Sequence, residues 1–131
     1  MKTIIIGKRS FISKELKKII PNSSLVSVEE FIDKNFKINN KVNIVINSFY
    51  PVSSLHNIES YENFFEKSVI SLSKILDRIK SSSVEKIIYT SSSAVYGSII
   101  DNSHQNDVFN RILYSYTKLC CENLIKNFSD K

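Results

Sequence analysis

Thr3-Ile4-Ile5-Ile6-Gly7-Lys8-Arg9-Ser10-Phe11-Ile12-Ser13 is the stretch on which the fold turns. A short β-branched apolar run that ends at a glycine reads as a buried strand delivered into a tight turn. From Ser10 onward Phe11, Ile12, Leu16, Ile19 and Ile20 recur at helical spacing, and Pro21-Asn22-Ser23-Ser24 stops them. Strand, turn and helix therefore follow one another within the first two dozen residues.

The rest of the chain extends this alternation. Residues 25–28 read as a second strand and 29–36 as a short helical or irregular piece. Residues 42–46 form another nearly continuous apolar run, closed by Asn47-Ser48 and Tyr50-Pro51. Between residues 60 and 80, Phe65, Val69, Leu72, Leu76 and Ile79 repeat at intervals of four and three, which predicts one long amphipathic helix whose stripe faces the sheet or, as the alternative, a second copy of the chain. Residues 86–90 are the fourth strand, 97–110 a polar irregular stretch, and 114–128 a final helix. Apolar strands separated by helices predict an α/β fold, a Rossmann-like three-layer sandwich with a short parallel sheet, right-handed crossovers and helices on both faces. In such sheets ligands bind at the carboxyl ends of the strands. Gly7, Asn47-Ser48 and Ser91-Ser92-Ser93 all fall at such ends.

Bulk properties narrow the function classes. At 131 residues, residues 1–131 are expected to form one domain with no need of a disulfide or metal. Cys120 and Cys121 are adjacent on a helix, point apart, and read as free thiols of a reducing, cytoplasmic compartment. Neither a secretory leader nor a membrane span is expected. The net charge of +5 is scattered, with Lys14, Lys17 and Lys18 on the wet face of the first helix, so nucleic acid is not expected as a partner. His56 and His104 have no ligand-spaced Cys, Asp or Glu beside them, and no metal site is expected.

Three groups of residues carry the chemistry. The turn Gly7-Lys8-Arg9-Ser10-Phe11-Ile12 places free amides at a helix start, where the dipole favours a pyrophosphate. Ile87-Ile88-Tyr89-Thr90-Ser91-Ser92-Ser93-Ala94-Val95-Tyr96-Gly97 runs a strand into a hydroxyl-rich loop. Tyr114 and Lys118, four apart, share one face of the last helix.

These stretches together resemble the extended short-chain dehydrogenase/reductase family, which contains the NAD-dependent sugar-nucleotide epimerases and dehydratases. The opening resembles that family's Gly-x-x-Gly-Phe-Ile-Gly turn, with Ser10 and Ser13 at two glycine places. The string ending at Tyr96-Gly97 resembles its fifth strand and catalytic loop, and the resemblance assigns the catalytic serine to Ser92. Tyr114 and Lys118 correspond to its Tyr-x-x-x-Lys pair. In that pair the phenol takes a sugar hydroxyl's proton and the ammonium favours the phenolate while holding the cofactor's ribose. The resemblance implies a nicotinamide cofactor, with Gly7, Lys8, Arg9, Ser10, Phe11, Ile12, Glu29, Ser48 and Lys118 around it.

Glu29, at the end of the second strand, would favour NAD, whereas Lys8 and Arg9 would meet the 2′-phosphate of NADP, so the choice between NAD and NADP stays open. Departures from the pattern include Ser68 in place of a frequent asparagine, the absence of the usual Pro and Glu after Gly97, and a shortened segment between residues 25 and 40. The expected function is the cofactor-binding portion of a nucleotide-sugar epimerase, dehydratase or reductase, without its carboxy-terminal substrate domain and able to form a homodimer through its two long helices. Activity of the short chain alone is uncertain, and the alternative is a non-catalytic Rossmann-fold binding or interaction module.

Overall fold

The structure is a computed structural model that describes residues 2–38, 41–96 and 105–129, the side chains of 105–111 excepted. Gly97 and His104, singled out above, lie outside the described residues. The elements are β1 (Lys2–Ile6), α1 (Phe11–Ile19), β2 (Ser23–Val26), α2 (Val28–Ile32), β3 (Val42–Ile46), α3 (Tyr61–Phe65), α4 (Ser71–Ile79), β4 (Val84–Tyr89) and α5 (Gln105–Ser129). Short 3-10 turns at Val52–Ser54 and Ser93–Tyr96 and a π-helical turn at Glu66–Ile70 complete them.

Two compact units share these elements, one of residues Met1–Ser48 and Ser73–Thr90, the other of Phe49–Leu72 and Ser91–Lys131. The first holds a four-stranded sheet of order β2-β1-β3-β4, parallel throughout. Ile4, Ile5 and Ile6 of β1 and Ile44, Val45 and Ile46 of β3 are all buried. Successive strand residues point to opposite faces, so their common burial means that both faces of the central strands are covered. Each such side chain contributes about 1.5–3 kcal/mol. This is the Rossmann-like α/β fold the alternating apolar runs predict.

The chain leaves β1 through α1 to β2 on one side, then crosses back to place β3 on the other side of β1. The carboxyl ends of β1 and β3 therefore form the point where strand order reverses, the place at which such sheets open a crevice.

Several expectations are corrected. The apolar stripe of α1 is not its buried face: Phe11 is 75% and Ile19 73% exposed, Ile12 is exposed too, and burial centres on Ser13, with Leu16 and Ile20 half-buried beside it. The helix approaches the sheet along the edge of its stripe, where Ser13 is the smallest residue. The second strand ends at Val26 because Ser27 is already the N-cap of α2, whose Glu30 completes a capping box. The Ser27 hydroxyl accepts from the Glu30 amide at 3.1 Å, and the Glu30 carboxylate accepts from the Ser27 amide at 2.8 Å.

Residues 61–79 are not one regular α-helix. The π turn at Glu66–Ile70 spreads more residues over one turn, which moves the buried positions back by one. Phe64 and Ser68 are buried where the four-three spacing selects Phe65 and Val69, while Leu72, Leu76 and Ile79 are buried as expected. The Ser68 hydroxyl donates to the Phe64 carbonyl and the Ser71 hydroxyl to the Glu66 carbonyl at 2.6 Å, which also accepts the Ser71 amide. β4 spans Val84–Tyr89 rather than 86–90, and it lies at the sheet edge with Ile88 54% exposed. The last helix begins at Gln105 rather than near Tyr114, within the stretch expected to be irregular.

Candidate functional site

In the first unit the turn after β1 is built around Gly7. Its φ is +125°, a conformation that side chains rarely adopt, and a Cβ there would stand 2.2 Å from the Asn47 carbonyl oxygen and 3.2 Å from the Ser13 hydroxyl. Hydrogen bonds from the Gly7 amide to the Val26 carbonyl at 2.9 Å and from the Asn47 amide to the Ile6 carbonyl at 2.9 Å hold the ends of three strands together. Ser10 then caps α1 and accepts from the Ser13 amide at 3.5 Å. The first-turn amides of α1 have no acceptor within the helix and point out of its start, with the positive end of the dipole.

Asn47, which the sequence reading placed only at a strand end, is the hub of this turn. Its carboxamide nitrogen donates to the Ser10 hydroxyl at 2.6 Å and to the Ser13 hydroxyl at 3.0 Å, and its carboxamide oxygen accepts from the Thr90 hydroxyl at 2.6 Å. Ser10 and Ser13, standing where the family pattern has glycine, thus gain hydroxyls that Asn47 satisfies. Ser13 is fully buried at that contact. Asn47→Leu removes all of these bonds and strands the Ser13 hydroxyl. The expected cost is about 2–3 kcal/mol, read as a lower urea midpoint with an unchanged slope.

The charged residues near the turn are paired or exposed. The Lys8 ammonium lies 2.6 Å from the Glu30 carboxylate, a surface pair of little energetic weight that holds the Glu30 carboxyl below the usual carboxylate range together with the Ser27 amide. Glu29 is exposed in the first turn of α2. The Ser27 hydroxyl, the residue's own backbone and the Arg9 charge keep its carboxyl below the usual range. Two carboxylates therefore follow β2 closely. Arg9 is exposed, and Ser48 is half-buried just past β3.

In the second unit Ser92 is half-buried before the Ser93–Tyr96 turn, and its hydroxyl accepts from the Ala94 amide at 3.3 Å. That turn packs against α5. Tyr114 and Lys118 share one face of α5 and meet the same ring. The Lys118 ammonium stands 4.1 Å from the centre of the Phe49 ring and 6.0 Å from that of Tyr114. Phe49 and Tyr114 pack edge to face at 5.3 Å. Lys118 is buried, and burial lowers its pKa to about 8 although Cys121 and Glu122 oppose the shift. Beneath these residues lies an apolar cluster of Tyr50, Leu55 and Phe64, with Phe49, Ile58 and Leu113 around it. Phe49 carried no motif and was not singled out from the sequence; its place directly after Ser48 at the end of β3 was the available signal.

Cys120 and Cys121 are free thiols, as expected. Among the described residues no group of His, Cys, Asp or Glu is arranged to hold a metal, and no helix is long and apolar enough to cross a membrane.

A model of the NAD dependent epimerase/dehydratase family matches residues 14–131. The chain belongs to that family. No curated protein matches it in sequence. Among solved structures, UDP-glucuronic acid 4-epimerase from Bacillus cereus, in complex with UDP-glucuronic acid and NAD, is similar in fold with a TM-score of 0.65 at 16% identity. MoeE5 in complex with UDP-glucose and NAD is similar with a TM-score of 0.64 at 18% identity. The whole of this chain is covered in both comparisons, against 53% of the first protein and 50% of the second. This epimerase/dehydratase family member thus spans about half the length of those structures.

Proposed function

We propose that this chain is the cofactor-binding portion of a nucleotide-sugar epimerase or dehydratase that works with NAD. The observation that carries the reading is the turn at the β1/β3 reversal point, where Gly7 leaves no room for a side chain and α1 starts directly behind it with Ser10 as its N-cap. A dinucleotide's pyrophosphate is the ligand such a turn accommodates, at the start of α1 through Phe11 and Ile12, since the Lys8 and Ser10 amides are engaged by the Val26 and Gly7 carbonyls. Glu29 would accept from the hydroxyls of the adenosine ribose. The acidic pair Glu29-Glu30, with Lys8 already engaged by Glu30, supports NAD over NADP, because a 2′-phosphate beside those carboxylates would be repelled.

When bound, NAD supplies the redox step at the sugar carbon. The chain's own residues hold and move the proton. Tyr114 would take it from the sugar hydroxyl at its phenolic oxygen, Ser92 would donate a hydrogen bond to the oxygen that gains charge, and Lys118 would place a positive charge beside the phenol. Nucleotide sugars are the proposed substrates, in keeping with the family and with the UDP-sugars in the two similar structures.

Calorimetric titration tests the reading. Saturable binding of NAD at micromolar concentration, with NADP at least tenfold weaker, is the expected result, and Lys118→Met should weaken NAD by about tenfold, the loss of one charged hydrogen bond. An absence of binding at millimolar NAD would overturn it in favour of a non-catalytic module that keeps the fold.

A further inference from the structure

We infer that Phe49 is the positioning residue of the Tyr114/Lys118 pair, a role that rests on the functional reading above for its use but on packing alone for its geometry. One ring touches both members: its face lies under the Lys118 ammonium at 4.1 Å, and it meets Tyr114 edge to face at 5.3 Å with the planes 87° apart. The same ring stands at 6.1 Å and 85° from Phe64, which is fully buried, so Phe49 is itself anchored in the apolar cluster.

This arrangement answers a physical problem. Lysine has a flexible four-carbon stem, and a buried ammonium needs compensation for the water it loses. The negative face of a phenyl ring supplies attraction without adding a second titrating group. It also narrows the stem to conformations that carry the ammonium past the ring. Tyr114, gripped by the same ring, is held in step with it, because any rotation of Phe49 disturbs both neighbours.

Titratable and charged groups also surround the pair. On α5 itself Cys121 and Glu122 raise the Lys118 pKa while burial lowers it. On the π turn packed against α5, Glu66 and Lys67 are exposed, and on the Ser93–Tyr96 turn Tyr96 is exposed.

The test follows the Lys118 side chain directly, by carbon-detected NMR titration of lysine-labelled chain, its signal identified by its loss in Lys118→Arg. Phe49→Leu keeps the apolar bulk and removes the ring face, so the charged form loses support and Lys118 should titrate lower by about half a pH unit. Phe49→Tyr restores the ring and should return the titration to that of the unsubstituted chain. Equal titration in the unsubstituted and Leu chains overturns the role. So does a Phe49→Tyr shift of half a unit, which keeps the question open to refutation if the Leu variant does not fold. A parallel NAD titration separates the two claims. A moved Lys118 titration in a chain that binds no NAD upholds Phe49 and removes the functional reading, whereas NAD binding with an unmoved titration does the reverse.

Discussion

Gly7→Ala will lower the stability of the chain by at least about 3 kcal/mol, and its melting temperature by about 10 °C or more. Two independent effects add. The backbone at φ +125° is one that an alanine adopts only under strain, and the new methyl would stand 2.2 Å from a backbone oxygen and 2.7 Å from a backbone carbon of Asn47. Neither atom is the end of a flexible side chain, so relief requires β1 and β3 to part at their carboxyl ends. Circular dichroism melting of the two proteins side by side measures the effect. A loss under 1 kcal/mol would mean that the turn is not held as described.

Phe64→Ala is expected to be comparably severe, at about 3–5 kcal/mol, because it empties a fully buried aromatic site. The ring contacts Tyr50 at 5.1 Å, Phe65 at 5.4 Å and Phe49 at 6.1 Å, so the cavity would open directly beneath the residue that touches Tyr114 and Lys118. Urea denaturation measures the loss. Phe65→Ala, at an exposed neighbour, is the control and should cost about 1 kcal/mol or less. If the four-three spacing described the true buried face, the two variants would exchange ranks.

That comparison shows where the sequence was and was not legible. β1 and β3 could be read because consecutive isoleucines and valines are needed wherever both faces of a strand are covered, and both runs stand at the centre of the sheet. Helical periodicity between residues 60 and 80 was equally clear, but a π turn leaves no periodic mark, and the inward face before it was displaced by one residue. In α1 the periodicity was real and its meaning was not burial: Phe11 and Ile19 are apolar and exposed, since Ser13 sets the line of approach to the sheet. The capping box of Ser27 and Glu30 was a spacing signal that places the start of α2, and residues 25–28 were read past it.

The site divides in the same way. Gly7 and Ser10 stand at a strand-to-helix turn, and Tyr114 and Lys118 four apart on a helix, but it was the resemblance to a family pattern, not the spacing, that singled them out. Asn47 and Phe49 were not singled out in this way, because their importance comes from partners distant in sequence: Ser10 and Ser13 for one, Tyr114 and Lys118 for the other. A lone asparagine or phenylalanine at a strand end carries no pattern by which to choose it.

The carboxamide at the end of β3 has a consequence for how this lineage can drift. Its two hydrogens go to two hydroxyls, so the pair of serines and the asparagine are a matched set rather than three separate choices. Reverting either serine to glycine alone would leave one amide hydrogen without its acceptor, and a change at the asparagine alone would orphan a hydroxyl sealed from water. Relatives that carry glycines in the turn should therefore carry a different residue opposite them, and chimeras that mix the two versions should be less stable than either parent.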